Sequence, residues 1–200
     1  MKGLSVKTRL QAPIALVFAS LLALTGCAAT SGDGAPAASS DGANVLAEHN
    51  LNGLDAKQII DRLDVLPTAD RPADLFASIR PDALLLSDGR GQELSLPMPA
   101  DEFYVSVAPY AANTHECYFH SLTTCLGELQ NEDVYVTITG ADGAVLVNDT
   151  YRTFSNGFLG FWLPRDITAT ITLTYSGLSV TAPLSTSGKD PTCVTTLQLT

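Results

Sequence analysis

The sequence predicts an α+β protein in which a small N-terminal helical region precedes an antiparallel β-sandwich. Two observations support this fold class. Between residues 53 and 63 the apolar residues follow the three- or four-residue spacing of a helix with one buried face. From Glu93 onward, short runs of alternating apolar and polar residues are separated by turn residues, a pattern that is typical of a β-sandwich.

The first 26 residues have the features of a bacterial lipoprotein signal. Basic residues precede an apolar run at 13–24, which is short for a membrane span, and the motif LTGC follows at once. We expect Cys27, the last residue of that motif, to carry lipid. The mature chain would then be exported and membrane-anchored, in the periplasm or on the outer face of the cell envelope. A plain secretory signal, with Cys27 left as an ordinary thiol, is the alternative.

Residues 27–44 are rich in Ala, Ser and Gly and predict a flexible tether. The leader takes three basic residues with it, so eight basic residues remain against 21 acidic ones and the net charge becomes −13. Such a surface repels nucleic acid and anionic lipid, and we therefore expect no nucleic-acid partner. It is compatible with attracting metal cations, although charge alone does not establish that role.

Residues 45–90 are assigned to a small helical domain. Its first helix follows from the spacing of the apolar residues between 54 and 63, with Asn52 or Asp55 as the N-cap. Two further short helical segments are predicted at 72–79 and 81–86.

Residues 91–200 are assigned to the β-sandwich domain, which carries the candidate metal site. Alternating residues predict strands at 103–107, 134–139, 145–147, 158–163, 170–175, 179–181 and 193–197. The turn sequence GADG between two of these runs is a hairpin signal.

Three cysteines beyond the lipidation motif are the strongest functional signal: Cys117, Cys125 and Cys193. Exported proteins normally pair their cysteines, and three cannot all pair within one chain. One interpretation is a metal or redox site to which two nearby histidines, His115 and His120, contribute. One disulfide with a buried free cysteine is the alternative.

The spacing of these cysteines does not match the common zinc and thioredoxin motifs, because seven residues separate Cys117 from Cys125. Cys193 opens the last predicted strand, and a sandwich can place a terminal strand beside an earlier one. Three thiolates suit monovalent copper, Cu(I). Zinc is the less favoured occupant because it needs a fourth ligand, which His115 or His120 could supply.

Two other functions stay open. A thiol–disulfide redox protein would use the same cysteines, since two thiolates that close to a disulfide release two electrons. A non-catalytic surface sandwich that binds a protein or a glycan would need no free thiol. The sequence has no phosphate-binding glycine loop and no nucleophile constellation, so no catalytic residue is assigned.

Three segments resemble the CueP family, periplasmic copper-binding proteins that are linked to copper resistance. The segments are HECYFHSLTTCLGEL at 115–129, NGFLGFWLPR at 156–165 and TCVTTL at 192–197. The helical stretch QIIDRLDV at 58–65, with RPADL at 71–75, is similar to the N-terminal region of the family. The resemblance covers residues 45–200.

The resemblance implies a copper site carried by Cys117, Cys125 and Cys193. His115 and His120 are candidate accessory residues because they lie close to Cys117 and Cys125 in the sequence. It implies that the protein handles Cu(I) for sequestration, resistance or transfer to a cuproenzyme client. Reduction of Cu(II) by the thiols is the one enzymatic activity in view, and a thiol reductase would then be a partner. A homodimer is also implied. The lipid anchor lies outside the similarity and favours capture of copper near a membrane.

Overall fold

The computed structural model describes residues 40–200, with side chains from residue 44 onward. The predicted signal, Cys27 and residues 27–39 of the predicted tether lie outside the described residues. The elements are α1 (Ser40–Glu48), α2 (Ala56–Asp64), a 3-10 turn (Thr68–Asp70), β1 (Leu75–Ile79), β2 (Ala83–Asp88), β3 (Glu93–Pro97), β4 (Glu102–Tyr110), β5 (Asp133–Gly140), β6 (Val145–Arg152), β7 (Leu159–Pro164), β8 (Thr168–Tyr175), β9 (Leu178–Ser185) and β10 (Cys193–Gln198).

The strands form three sheets, with the orders β1-β2-β3, β10-β4-β7 and β6-β5-β8-β9. The second and third sheets make the sandwich, since one buried apolar cluster contains residues of both. Neighbouring strands are antiparallel with one exception, because β10 runs parallel to β4. The predicted class, α+β with an antiparallel sandwich, is confirmed, and the parallel β10 is a departure that the sequence pattern did not indicate.

Helix α2 forms where the apolar spacing predicts it. Asp55 caps the helix: its carboxylate accepts a hydrogen bond from the Gln58 amide at 2.8 Å, and the Gln58 side chain accepts one from the Asp55 amide at 3.0 Å. The helix ends at Asp64, which is buried. Helix α1 begins at Ser40, within the segment predicted as tether.

The segment from 72 to 86 is not helical, so both predicted helical segments at 72–79 and 81–86 are wrong. The first half contains β1, which pairs with β2 in antiparallel register. Burial alternates along β1, where Leu75, Ala77 and Ile79 are buried and Phe76 is exposed. Short apolar runs fit both helix and strand patterns, and here pairing with β2 determines the outcome.

A second apolar cluster lies on the other side of the middle sheet. It packs α1, α2 and the first sheet against Tyr104 and Trp162, which project from the outer face of β4 and β7. Strand β4 is consequently buried on both faces, from Phe103 to Pro109. In the described part of the chain, no helix has the length and apolarity needed to cross a membrane.

Candidate metal centre

The long connection between β4 and β5 carries two cysteines and two histidines, and it bridges two sheets. The Ile79 amide at the end of β1 donates to the His120 carbonyl at 2.8 Å. The Cys193 amide at the start of β10 donates to the Tyr118 carbonyl at 3.1 Å. These backbone bonds hold the loop between the first sheet and the middle sheet, so that its side chains meet the start of β10.

A close crossing of two glycines holds the loop after Cys125. The Gly127 amide donates to the Asn156 carbonyl. A Cβ on Gly157 would lie 2.6 Å from the Gly127 backbone, and Gly157 has a φ of +80°, which favours glycine. Both residues must therefore be glycine for the chains to approach this closely.

The structure brings all three cysteines together. Cys117 and Cys193 form a disulfide with a Cα–Cα distance of 5.6 Å. Cys125, the free cysteine of the described residues, has its Sγ 3.6 Å from the Cys117 Sγ. It also lies within 4.8 Å of the Cys193 Sγ. Their assignment as metal ligands remains a prediction.

The two predicted accessory histidines lie near different pairs of the three sulfurs. His120 is fully buried, and its Nδ1 is 3.8 Å from the Cys193 Sγ. A ring nitrogen of His120 and the sulfurs of Cys125 and Cys193 lie within 4.8 Å of one another. His115 is exposed, and a nitrogen of its ring lies within 4.8 Å of the sulfurs of Cys117 and Cys125.

Asp64 lies behind His120 and was not predicted as a site residue. Its Oδ1 is 3.5 Å from the His120 Nε2, an ion-pair distance when the imidazole is protonated, and neither atom has a hydrogen-bond partner with good geometry. Its second oxygen accepts a hydrogen bond from the Tyr104 hydroxyl. The sequence holds one signal for this role: Asp64 lies four residues after Ile60, on the buried apolar face of α2, where an unpaired carboxylate would be costly.

Gly160 on β7 leaves room for the hydrogen bond between the Tyr104 hydroxyl and Asp64. A Cβ at this position would lie 1.8 Å from the Tyr104 hydroxyl and 2.9 Å from Asp64 Oδ2. Any larger residue would therefore displace the tyrosine or the carboxylate. No local pattern in the sequence predicts this requirement.

Arg71 connects α2 with the loop of the site. Its guanidinium donates to the carbonyls of Leu66 at 3.2 Å and Asp64 at 3.0 Å, and also to the carbonyl of Leu122. The fixed fork of donors suits this use as a bridge between backbone segments. The cation also contributes positive potential near Cys125.

The electrostatics of the centre favour a thiolate at Cys125. Burial by itself would raise the pKa of this thiol. The hydrogen bond and positive charge of His120, together with the Ser121 amide and Arg71, outweigh burial and hold the pKa below its usual value. The Ser121 amide lies 3.3 Å from the sulfur.

The pKa of His120 shifts in the opposite direction to that of Cys125. Burial by itself would lower its pKa, but hydrogen bonding to Asp64 and to Cys125 and the charges of both groups raise the pKa above its ordinary value. A cationic imidazole is thus favoured between a carboxylate and a thiolate.

The donor set suits a soft metal ion. Sulfur and imidazole nitrogen are ligands for Cu(I) and for zinc, whereas calcium and magnesium prefer oxygen. The disulfide occupies two of the three sulfurs, so reduction by two electrons is needed before three thiolates are available.

Comparison with known proteins indicates a family of copper-binding proteins. The family profile described as periplasmic copper-binding protein CueP matches residues 58–198, a range that includes all three cysteines of the cluster. The crystal structure of S.CueP is similar to this chain, with 41% sequence identity and a TM-score of 0.75. The match covers 81% of this chain and 98% of that chain. No match was found among curated proteins.

Proposed function

Since this chain belongs to the CueP family of periplasmic copper-binding proteins, we propose that it binds Cu(I) through the thiolates of Cys117, Cys125 and Cys193. The observation that most supports this proposal is the convergence of three sulfurs from a loop and a distant strand. Three thiolates satisfy Cu(I) without a fourth ligand. Zinc would need a nitrogen from His120 or His115 in addition, and is the weaker candidate.

The disulfide supports a redox cycle at the same site. When the Cys117 and Cys193 thiols close to a disulfide, they release two electrons and two protons. Two Cu(II) ions can accept these electrons and become Cu(I), while Cys125 keeps its thiolate as a ligand. An external thiol reductase would return two electrons and restore the three-thiolate form.

We further propose that the mature protein is anchored through lipid on Cys27 and acts close to a membrane. There it would sequester copper for resistance or transfer it to a cuproenzyme client, and a homodimer is compatible with this role. These proposals rest on the lipidation motif LTGC and on the family resemblance.

Anaerobic titration of the reduced mature chain with Cu(I), against a competing chelator, tests the proposed function. We expect binding of one Cu(I) per chain. Because Cys193→Ser removes a direct ligand, it should weaken binding by about 100-fold or more, at least the effect of losing a residue that merely supports a ligand. Cys27→Ser is the matched control, since it removes a cysteine that the proposal does not assign to the copper site and should leave affinity unchanged. Equal affinity of Cys193→Ser and the control would refute the three-thiolate proposal.

A thiol–disulfide exchange protein is the second candidate. The observation in its favour is the Cys125 sulfur, 3.6 Å from a disulfide sulfur and with its pKa below the ordinary value. Such a protein would reduce or isomerise disulfides of other proteins without copper. Anaerobic incubation with a scrambled disulfide substrate separates the two candidates, because a copper-binding protein should leave the substrate unchanged.

A further inference from the structure

Two overlapping sets of potential ligands share the Cys125 sulfur. The outer set consists of His115, Cys117 and Cys125, and the inner set consists of His120, Cys125 and Cys193. Within each set the ligand atoms lie within 4.8 Å of one another. The outer set is half-buried or exposed, whereas His120 and Cys193 are 0% and 1% exposed. Copper that arrives from solvent therefore meets the outer set first.

The His115 side chain is exposed, but its backbone is held by hydrogen bonds. Its carbonyl accepts a hydrogen bond from the Thr195 hydroxyl at 2.6 Å, and the Thr114 hydroxyl donates to the Thr195 carbonyl at 2.6 Å. Thr195 lies on β10, two residues after Cys193. The histidine is thus held at a fixed place relative to the cysteine that begins the strand, while its ring remains accessible.

The surroundings of the outer set are also suited to receiving a cation. An open surface groove is lined by His115, Glu116 and Cys117, so solvent reaches this side of the cluster. Glu116 adds a negative charge to the groove. The His115 ring lies against Phe158 at 6.3 Å, and Phe158 also contacts the His120 ring at 4.6 Å, so one aromatic side chain packs against both imidazoles.

From these observations we propose that His115, Cys117 and Cys125 form an entry and exit position for Cu(I). The ion first binds the outer set and then moves to the three-sulfur site of Cys117, Cys125 and Cys193 by ligand exchange. The bond to the His115 nitrogen breaks, and a bond to the Cys193 sulfur forms as that thiol loses its proton, which the freed and exposed His115 imidazole accepts and passes to solvent. Cys117 and Cys125 stay bound throughout, and copper remains Cu(I). This inference rests on the proposed function, since it requires the reduced three-cysteine site.

Because His115 is absent from the final three-sulfur site, it should affect rates more than affinity. We expect His115→Asn to slow Cu(I) transfer from a coloured chelator to the reduced mature chain by about tenfold, measured by stopped-flow absorbance, while affinity changes little. His115→Met replaces the nitrogen with another soft ligand and should restore most of the rate. Glu116→Gln is the matched control for a change of groove charge alone. Unchanged transfer in His115→Asn, or an equal loss in His115→Met, would overturn the proposal.

A second measurement traps the ion at the outer position. In Cys193→Ser the inner set is incomplete, so His115 should become an equilibrium ligand. Adding His115→Asn to Cys193→Ser should then weaken the remaining Cu(I) affinity by about tenfold or more. If the double variant binds as tightly as Cys193→Ser, the entry position is wrong although three-thiolate binding stands. If Cys193→Ser itself binds as tightly as the wild type, the proposed function fails instead.

Discussion

The two histidines of the metal centre stand in contrasting environments. His120 is enclosed, with a disulfide sulfur on one side and Asp64 on the other. His115 is held by a hydrogen bond to its backbone carbonyl and by an edge contact with Phe158, and its side chain is exposed to solvent. Packing and buried charged groups thus fix the geometry of the inner half of the site, which contains His120, Cys193 and Asp64, whereas the outer half, with His115 and Cys117, is open to solvent. Substitutions in the inner half should therefore change stability and affinity strongly, whereas those in the outer half should change rates and have only small effects on stability.

The largest effect is expected at Gly160, which lies against Tyr104 and Asp64 in the inner half of the site. Gly160→Ala forces a Cβ into the Tyr104 hydroxyl and the Asp64 carboxylate, and this overpacking should lower the free energy of unfolding by about 1–3 kcal/mol. Denaturant unfolding measures the change. Gly89→Ala is the matched control, because a Cβ there meets no atom within 4 Å. Equal midpoints for the two variants would show that the contact among Tyr104, Asp64 and Gly160 is not tight in solution.

A second prediction concerns the charge that His120 places beside Cys125. Because the pKa of Cys125 lies below its ordinary value mainly through His120, with burial opposing the shift, His120→Asn should move that pKa upward. The thiolate fraction at neutral pH then falls, by about tenfold for each unit of increase in the pKa.

The pH profile of Cys125 alkylation in the oxidised protein, followed by mass spectrometry, checks this expectation. Alkylation should begin at higher pH in His120→Asn than in the wild type. His115→Asn is the control for loss of an imidazole on the outer side and should leave the profile nearly unchanged. Coincident profiles for all three proteins would show that the buried histidine does not stabilise the thiolate.

The smallest effect is expected at Glu128, which supports the outer half. Its carboxylate accepts hydrogen bonds from the amides of Asn113 and, at 3.0 Å, Ala112, and these bonds hold its pKa below the ordinary value. The folded-state pKa is thus lower than the unfolded one. The stabilisation is present above the unfolded pKa and disappears as pH falls through the folded pKa.

Thermal unfolding across pH tests this linkage. Glu128→Gln should lower stability slightly at neutral pH and should match the wild type in acid, where Glu128 is protonated in both states. A difference that persists unchanged at low pH would contradict a role for the carboxylate charge. Glu116→Gln is a suitable control, since it makes the same charge change at an exposed residue of the same loop.

Part of the candidate site could be predicted from the sequence, because the three cysteines that cannot all pair and the two histidines near them are visible there. Helix α2 was predictable for a similar local reason, since its apolar spacing and the Asp55 cap lie within one short segment. The side on which each histidine lies was not predictable. His115 and His120 belong to an irregular loop, so neither helical nor strand periodicity assigns a buried face.

The features that the sequence did not reveal depend on contacts between distant segments. Asp64, Tyr104 and Gly160 meet across α2, β4 and β7, and no local pattern encodes that meeting. The helices predicted at 72–79 and 81–86 were wrong for the same reason. Short apolar runs become strands there only through pairing within the first sheet. Local patterns thus indicated which cysteines and histidines are candidate ligands, but not which residues pack behind them.

Binding of one Cu(I) by three thiolates can be observed by X-ray absorption at the copper edge of the reduced, Cu(I)-loaded mature chain. We expect three sulfur ligands in the wild type and two in Cys193→Ser, where a nitrogen should enter the coordination shell. Two sulfur ligands in the wild type, or the same sulfur count in both proteins, would show that the three thiolates do not bind copper together.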